Sequence, residues 1–157
     1  MELVTTWPVD RAAAAVVAAD GRIVATAGDI DAPFALASVT KLLTAAAVHL
    51  AVDEGCLTLE QAAMENTATV SDLLAHAAGI GLDGEILARP RTRRVYSNAG
   101  YDRLAQLVAT STGFSFPEYL SEGILRPARM KATELAGSPA SGAQSTISDL
   151  ARLVPVL

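Results

Sequence analysis

The chain has 157 residues, a length that suggests one domain. Apolar residues make up 51% of the chain and its mean hydropathy is +0.33, values that exclude disorder and collagen-like repeats. The net charge of -5 and the pI of about 4.9 argue against a nucleic-acid partner, because such binding needs a basic surface. Cys56 is the one cysteine, which excludes an internal disulfide and a cysteine-based zinc cluster.

The location of the protein is predicted from two features that the sequence does not show. Its first residues lack a basic segment followed by an apolar run, so no signal peptide is predicted. It also has no run of about 18 apolar residues, so no membrane-spanning helix is predicted. We therefore expect a cytoplasmic protein.

Residues 12–27 predict a β-hairpin, in which two apolar segments flank Asp20-Gly21. Asp-Gly is a strong signal for a two-residue hairpin turn, and the valines and isoleucine beside it favour strands over helix. A loop is expected over 28–37, where glycine, proline and two aspartates occur. A two-stranded hairpin is marginally stable alone, which predicts further strands or a helical cover.

The remainder of the chain is predicted to be mainly helical, with capping residues at helix starts and glycines at helix ends. The predicted helices span 38–53, 58–66, 69–78, 98–111, 115–123 and 145–155, and a polar surface loop spans 81–95. The sequence therefore predicts a single α+β domain over 1–157. Its strand hairpin and loop occupy 1–37, and its mainly helical part occupies 38–157.

Ser38 and Lys41 lie at the predicted junction between the loop and the first of these helices. A spacing of three residues places both side chains on one helix face, and a helix N-terminus adds positive potential near the serine. A lysine packed among leucines is partly desolvated, which lowers a lysine pKa and can leave a neutral amine that accepts a proton. The pair is therefore a candidate nucleophile and base. A capping serine beside a solvated lysine is the structural alternative, and it is the commoner one for an isolated S-x-x-K.

Tyr96-Ser97-Asn98 lies between the polar loop and a predicted helix start. Side chains at such junctions point into clefts more readily than those within a helix. A phenol can act as acid or base, and an amide can hold a substrate carbonyl. A packed tyrosine and an N-capping asparagine are the structural alternative.

These two segments, with their flanks, resemble one family. Residues 37–44 (ASVTKLLT) resemble the first motif of the serine β-lactamase and penicillin-binding-protein superfamily. Residues 95–101 (VYSNAGY) resemble its Tyr-x-Asn motif, in the form found in class C β-lactamases, DD-peptidases and related esterases. Three further stretches, 70–80, 125–133 and 145–152, resemble non-catalytic segments of the family, so that the resemblance covers residues 12–153.

The resemblance implies a serine hydrolase that acts on esters or amides, such as β-lactams, D-Ala peptides or carboxylic esters. Ser38 would attack the acyl carbonyl, Lys41 would take or relay its proton, and Tyr96 would act as base and then protonate the leaving group. Asn98 would hold the substrate amide. Water would release the acyl-enzyme, and the resemblance implies neither a metal nor an organic cofactor.

One departure from the family concerns its third motif, Lys-Thr-Gly or His-x-Gly, which does not occur after the last predicted helix. In the family that strand supplies one oxyanion-hole N–H, a group whose loss costs about 10²–10³ in rate. The resemblance therefore implies the first part of a β-lactamase-like domain, which a C-terminal segment or a second copy would complete. We expect exposed apolar surface along the hairpin. The alternative is a catalytically silent binding module that keeps the cleft.

Other features receive simpler interpretations. Segment 79–84 (GIGLDG) fits a dinucleotide-binding pattern but follows a predicted helix rather than a strand, which argues against nucleotide binding. The four arginines in 89–94 indicate a solvated loop or, as the weaker alternative, a contact with a carboxylate substrate. His76 is interpreted as a hydrogen-bonded structural residue rather than the base of a Ser-His-Asp triad. Cys56 is interpreted as a buried structural thiol.

Overall fold

The computed structural model of the protein describes residue 4 and residues 6–156. The architecture is α+β, as predicted. The helices are α1 (Thr40–Asp53), α2 (Val70–Leu74), α3 (Asn98–Thr112), α4 (Phe116–Leu120) and α5 (Ile147–Leu153). The strands are β1 (Ala14–Val17), β2 (Ile23–Ala27), β3 (Phe34–Ala35), β4 (Glu134–Leu135) and β5 (Ala143–Ser145). Short 3₁₀ turns cover Ala37–Val39 and Val154–Val156, and a π-helical turn covers Ser121–Leu125.

Strands β1 and β2 form the predicted antiparallel hairpin, but its turn is longer than the expected two residues. The Ala18 N–H donates to the Arg22 carbonyl at 2.9 Å, so residues 19–21 form the loop. Gly21 ends this loop with a φ of 81°. A three-residue hairpin loop needs a left-handed residue at that place, and glycine adopts it without steric cost. The sequence thus indicated the position of the turn and not its length.

A second antiparallel sheet has the strand order β3-β5-β4 and was not predicted. Strand β3 lies inside the segment expected to be a loop. Each of the three strands has only two or three residues, too few for an alternating pattern to be visible. The sheet is held on α1 because the Thr40 hydroxyl accepts a hydrogen bond from the Ala143 N–H at 3.1 Å.

The helix predicted over 58–66 is replaced by turns. Its backbone groups bond across the turn rather than along a helix: the Ala63 N–H donates to the Ala68 carbonyl, and the Val70 N–H donates to the Gln61 carbonyl. The prediction was wrong because these pairings with later residues outweigh the local capping signal. The capping box at Thr69 is present and starts α2.

Helix α2 is shorter than the predicted 69–78, because it ends at Leu74 and His76 adopts a left-handed φ of 57°. Gly79 is therefore not a helix cap. It is needed for a close approach of two backbone segments, since a Cβ on it would lie 2.2 Å from the Ala88 carbonyl oxygen. Helix α3, by contrast, ends at Gly113 with a φ of 80°, as predicted.

The last two helices of the chain begin where predicted, and each passes into a different helical turn before its predicted end. Helix α4 starts with the predicted Ser115 capping box, and after Leu120 it passes into the π-helical turn, which continues past the predicted end at 123. Thr146, one of the two predicted caps, starts α5. Helix α5 ends at Leu153, where the 3₁₀ turn takes over.

The core lies between α1 and α3, where small side chains let the helices approach closely. Its fully buried residues on these helices include Leu43, Ala47, Val48, Ala51, Leu104 and Val108. The packing brings the N-terminal ends of the two helices together, as the contact between Lys41 and Asn98 shows. Among the helices of residues 6–156, none combines the length and the apolarity needed to span a bilayer.

Candidate active site

Ser38 lies in the 3₁₀ turn that leads into α1, and its side chain is exposed. The preceding residue, Ala37, has a φ of 44°, a region that non-glycine residues rarely occupy. Such strain persists only where the surroundings enforce it. Here the Leu36 N–H bonds to the Ala143 carbonyl and the Val39 N–H bonds to the Leu36 carbonyl. The turn presents Ser38 to solvent.

Lys41, unlike Ser38, is buried, with only 6% of its surface exposed. Its Nζ donates to Asn98 Oδ1 at 2.7 Å, to the Ala140 carbonyl at 2.9 Å and to Ser38 Oγ at 3.4 Å. An ammonium has three N–H donors, whereas a neutral amine has two and a lone pair. Both forms can therefore make the two short bonds, to Asn98 and to Ala140. The third position of Nζ faces Ser38, and it is an N–H in the ammonium and a lone pair in the neutral amine. Lys41 can exchange a proton with Ser38 and keep its other two bonds.

The Tyr96 phenol lies next to the Ser38 hydroxyl. Its O–H donates to Ser38 Oγ at 2.6 Å, and because both groups are hydroxyls the bond can also form in the opposite sense. Lys41 Nζ lies 4.6 Å from the centre of the Tyr96 ring. The proximity of Lys41, and then the hydrogen bond with Ser38, lowers the pKa of the Tyr96 phenol, because both neighbours favour the phenolate. Tyr96 as phenolate can thus take the Ser38 proton, and so can Lys41 as a neutral amine.

Asn98 is the first residue of α3, and Ser97 rather than Asn98 caps this helix. The Ser97 hydroxyl accepts from the Gly100 N–H at 3.0 Å and donates to the Gly81 carbonyl at 2.7 Å. Asn98 is therefore free of a capping role. Its Oδ1 accepts from Lys41, while its Nδ2 has no hydrogen-bond partner within residues 6–156. That N–H₂ group could donate to a substrate carbonyl.

The structure therefore brings Ser38, Lys41, Tyr96 and Asn98 to one place. It adds a group that sequence reasoning missed, the carbonyl of Ala140, which binds Lys41. A backbone carbonyl leaves no side-chain signal. The nearest sequence signal is the glycine pair that closes this loop, since a Cβ on Gly142 would lie 2.4 Å from the Gly137 carbonyl carbon.

His76 also belongs to this region, although no contact with Ser38 is seen. Its Nδ1 accepts from the Ser97 N–H at 3.2 Å, and its ring lies against those of Tyr96 and Tyr101. Burial, followed by the nearby charges of Lys41 and Arg94, lowers the pKa of the imidazole. The geometry fits the predicted hydrogen-bonded structural histidine and does not fit a base acting on Ser38.

The remaining sequence features lie elsewhere. Arg91 pairs with Asp72 at 3.2 Å, and Arg93 donates to the Leu87 carbonyl, so both arginines bind the loop and its neighbours. Cys56 is a free thiol and is half-buried rather than fully buried. In the part of the chain that the structure describes, no three His, Cys, Asp or Glu side chains form a group that could hold a metal ion.

Comparisons with known proteins identify the family of the chain. The Beta-lactamase family model matches residues 9–156. A β-lactamase from Mycobacterium bovis is 45% identical, with a TM-score of 0.92 over 97% of this chain and 57% of its own. No curated protein sequence matches the chain.

Two more distant structures share the fold. The octameric penicillin-binding protein homologue from Pyrococcus abyssi is 21% identical, with a TM-score of 0.76 over 87% of this chain and 50% of its own. The β-lactamase/D-alanine carboxypeptidase from Yersinia pestis is 18% identical, with a TM-score of 0.72 over 83% of this chain and 58% of its own. The chain thus spans between 50% and 58% of the length of these three relatives. Since the family model matches nearly all of its residues, the chain belongs to the β-lactamase family.

Proposed function

We propose that the protein is a serine hydrolase in which Ser38 forms an acyl-enzyme with an ester or amide substrate. The observation that carries this proposal is the position of Ser38 Oγ, 2.6 Å from the Tyr96 phenol and 3.4 Å from Lys41 Nζ. A hydroxyl becomes an effective nucleophile when a base within hydrogen-bond reach takes its proton, and here two such groups are in place.

The proposed reaction starts with attack by Ser38 Oγ on the acyl carbonyl carbon. The Ser38 proton passes to Tyr96 as phenolate or to Lys41 as neutral amine. The bond between the carbonyl carbon and the leaving oxygen or nitrogen then breaks, and Tyr96 returns a proton to that atom. Water attacks the acyl-enzyme by the same route in reverse and regenerates Ser38.

Asn98 is proposed to hold the substrate. Its Nδ2 group has no hydrogen-bond partner in the described chain and can donate to an amide carbonyl of the substrate, while Lys41 fixes its Oδ1. The substrates proposed are β-lactams, D-Ala peptides or carboxylic esters. The printed names of the relatives, a β-lactamase and a D-alanine carboxypeptidase, support this range.

The proposal extends to the assembly and the location of the protein. We propose that a C-terminal segment or a second copy completes the domain, which is supported by the longer relatives and by the exposed valines of the hairpin. We also propose the cytoplasmic location that the sequence predicts. Fractionation of cells that express the protein tests the location.

The experiment that tests the proposal measures hydrolysis of three substrates: a chromogenic cephalosporin, a p-nitrophenyl ester and a D-Ala-D-Ala peptide. We expect turnover of at least one of them, and Ser38→Ala should reduce it to the rate in buffer. Ser71→Ala is the matched control, because Ser71 is an exposed helical serine whose hydroxyl makes no hydrogen bond that the site uses. Folded protein that turns over none of the three would reject the proposal in favour of a silent binding module.

A further inference from the structure

His76 contacts Tyr96 and both of its neighbours in the chain. The His76 carbonyl accepts from the Val95 N–H at 2.9 Å, and its Nδ1 accepts from the Ser97 N–H at 3.2 Å. The imidazole ring lies 4.5 Å from the Tyr96 ring, centre to centre, at an angle of 37°. The backbone before Tyr96, the backbone after it and its aromatic ring are therefore all held by one residue.

The conformation of His76 makes these three contacts compatible. Its φ of 57° is left-handed, a region in which histidine, asparagine and aspartate are enriched among non-glycine residues. A residue in this conformation ends α2 and points its side chain back toward the start of α3. The second ring contact, to Tyr101 at 5.2 Å, fixes the imidazole from the α3 side.

We propose that His76 is a positioning residue that holds the Tyr96 phenol at Ser38, and that it does so only as the neutral imidazole. This inference rests on the proposed function, because it concerns how the phenol reaches the nucleophile. The contact with the Ser97 N–H requires a lone pair on Nδ1, so the ring proton must lie on Nε2. Protonation would place a second N–H against the Ser97 N–H and break that contact.

The charges around His76 favour the neutral form. Lys41 of α1, Arg94 and Tyr96 of the loop, and Tyr101 of α3 are the charged or titratable groups that face it. Burial opposes the charged imidazolium, and the two cations act in the same direction, so the pKa of His76 is lowered from 6.5. Above that lowered pKa the imidazole is neutral and the contact with Ser97 is kept. As the pH falls through it, the contact is lost, so the rate should fall on the acid side below pH 6.5.

Two substitutions at His76 separate the effect of its hydrogen bond with the Ser97 N–H from the effect of its protonation. His76→Asn keeps a left-handed residue and a side-chain oxygen that can accept from the Ser97 N–H, but it has no proton to gain in this range. His76→Ala removes both the acceptor and the ring. His49→Asn is the matched control, because His49 is the other histidine of the chain and is exposed on α1.

The kinetic test compares the pH profiles of hydrolysis for these variants. We expect His76→Ala to lower kcat by 10-fold or more with a smaller change in KM. His76→Asn should recover much of this loss and should lack the acid limb that belongs to His76. His49→Asn should retain the wild-type profile. An acid limb that is unchanged in His76→Asn would overturn the proposal, as would a wild-type rate in His76→Ala.

A second measurement does not need activity, and it separates failure of this inference from failure of the proposed function. In ¹H–¹⁵N spectra we expect the Ser97 amide to shift with pH along the His76 titration, at a midpoint below 6.5. Ultraviolet titration should also show a higher pKa for Tyr96 in His76→Ala, because a phenol displaced from Lys41 and Ser38 loses the contacts that lower it. A Ser97 amide insensitive to the His76 titration, with an unchanged Tyr96 titration, would contradict the positioning role even in an inactive protein.

Discussion

Ser38 has two neighbours that can take its proton, and their geometries differ. The Tyr96 oxygen lies 2.6 Å away, whereas Lys41 Nζ lies at 3.4 Å and already makes two shorter bonds. The pKa of Tyr96 is lowered by the proximity of Lys41 and by the hydrogen bond with Ser38, so the phenolate forms at lower pH than in a free tyrosine. We therefore propose that Tyr96 takes the proton directly and that Lys41 supports its negative charge.

The residue-scale prediction concerns Tyr96→Phe. Removal of a general base typically costs about 10²–10⁴ in rate, and we expect a loss of kcat in this range. Stability should change by less than about 0.5 kcal/mol, because Tyr96 is 50% exposed. In the wild type the rate should rise with pH as the phenolate forms, with a midpoint below pH 10. Steady-state kinetics and thermal unfolding measure both quantities.

Tyr119→Phe is the control for this substitution and should give the opposite pattern. The Tyr119 O–H donates to Glu54 Oε2 at 2.7 Å, just beyond the C-terminal end of α1. The 14 residues of α1 span about 20 Å, which separates this bond from Ser38. Loss of the bond to a carboxylate should cost about 1.5–3 kcal/mol of stability with little change in rate. Comparable activity in Tyr96→Phe and Tyr119→Phe would contradict the assignment.

At the scale of elements, the loop over 136–142 is what covers Lys41. The Ala140 carbonyl binds Lys41 Nζ, and the Thr44 hydroxyl donates to the Pro139 carbonyl at 2.7 Å. The Ser138 hydroxyl donates to Asp102 of α3 at 2.6 Å, and it accepts from the Ala140 N–H. The loop thus joins α1 to α3 across the site.

Gly142→Ala should disturb this loop and the site together. The added Cβ would lie 2.4 Å from backbone atoms of Gly137 and Ser138, and backbone cannot yield as a flexible side chain can. Such overpacking costs about 1–3 kcal/mol of stability. In a chain of this size, each kcal/mol lowers Tm by about 2–4 °C. We also expect a lower rate, because the Ala140 carbonyl moves with the loop. Calorimetry and kinetics check this, with the exposed Ser141→Ala as control. An unchanged Tm in Gly142→Ala would show that the loop is not closely packed.

The same loop shows where sequence reasoning reaches its limit. The S-x-x-K spacing indicated that Ser38 and Lys41 meet, because this contact depends on local helix geometry. The meeting of this pair with Tyr96 and Asn98 was implied only by the family resemblance. The Ala140 carbonyl and strands β3 to β5 depend on contacts between distant segments. The failed helix over 58–66 has the same origin, since its backbone bonds to residues 68–70. An element that is stabilised by hydrogen bonds to a distant segment need not show a periodic pattern of apolar residues in its own sequence.

At the scale of the whole molecule, the hairpin shows the exposed apolar surface that its sequence predicted. Val16 on β1 is 49% exposed and Val24 on β2 is 57% exposed. Helix α5 approaches the hairpin turn closely, because a Cβ on Gly21 would lie 3.1 Å from the Ala151 carbonyl oxygen. The hairpin is thus covered near its turn and open along its strands.

This surface should bind a hydrophobic fluorescent dye. We expect Val16→Lys and Val24→Lys each to reduce the dye fluorescence, because each places a charge on the apolar surface, with a change in stability below about 0.5 kcal/mol. Thr26→Lys adds the same charge at an exposed position of β2 and is the control. Equal fluorescence from the wild type and both valine variants would show that the dye does not detect the hairpin.

The acyl-enzyme on Ser38 is the central claim, and one measurement tests it most directly. The folded protein is incubated with a labelled penicillin and, separately, with a fluorophosphonate, and its intact mass is measured before peptide mapping. The account predicts one adduct per chain with at least one reagent, mapped to Ser38 and absent in Ser38→Ala. An adduct on another residue, or no adduct with either reagent, would contradict it.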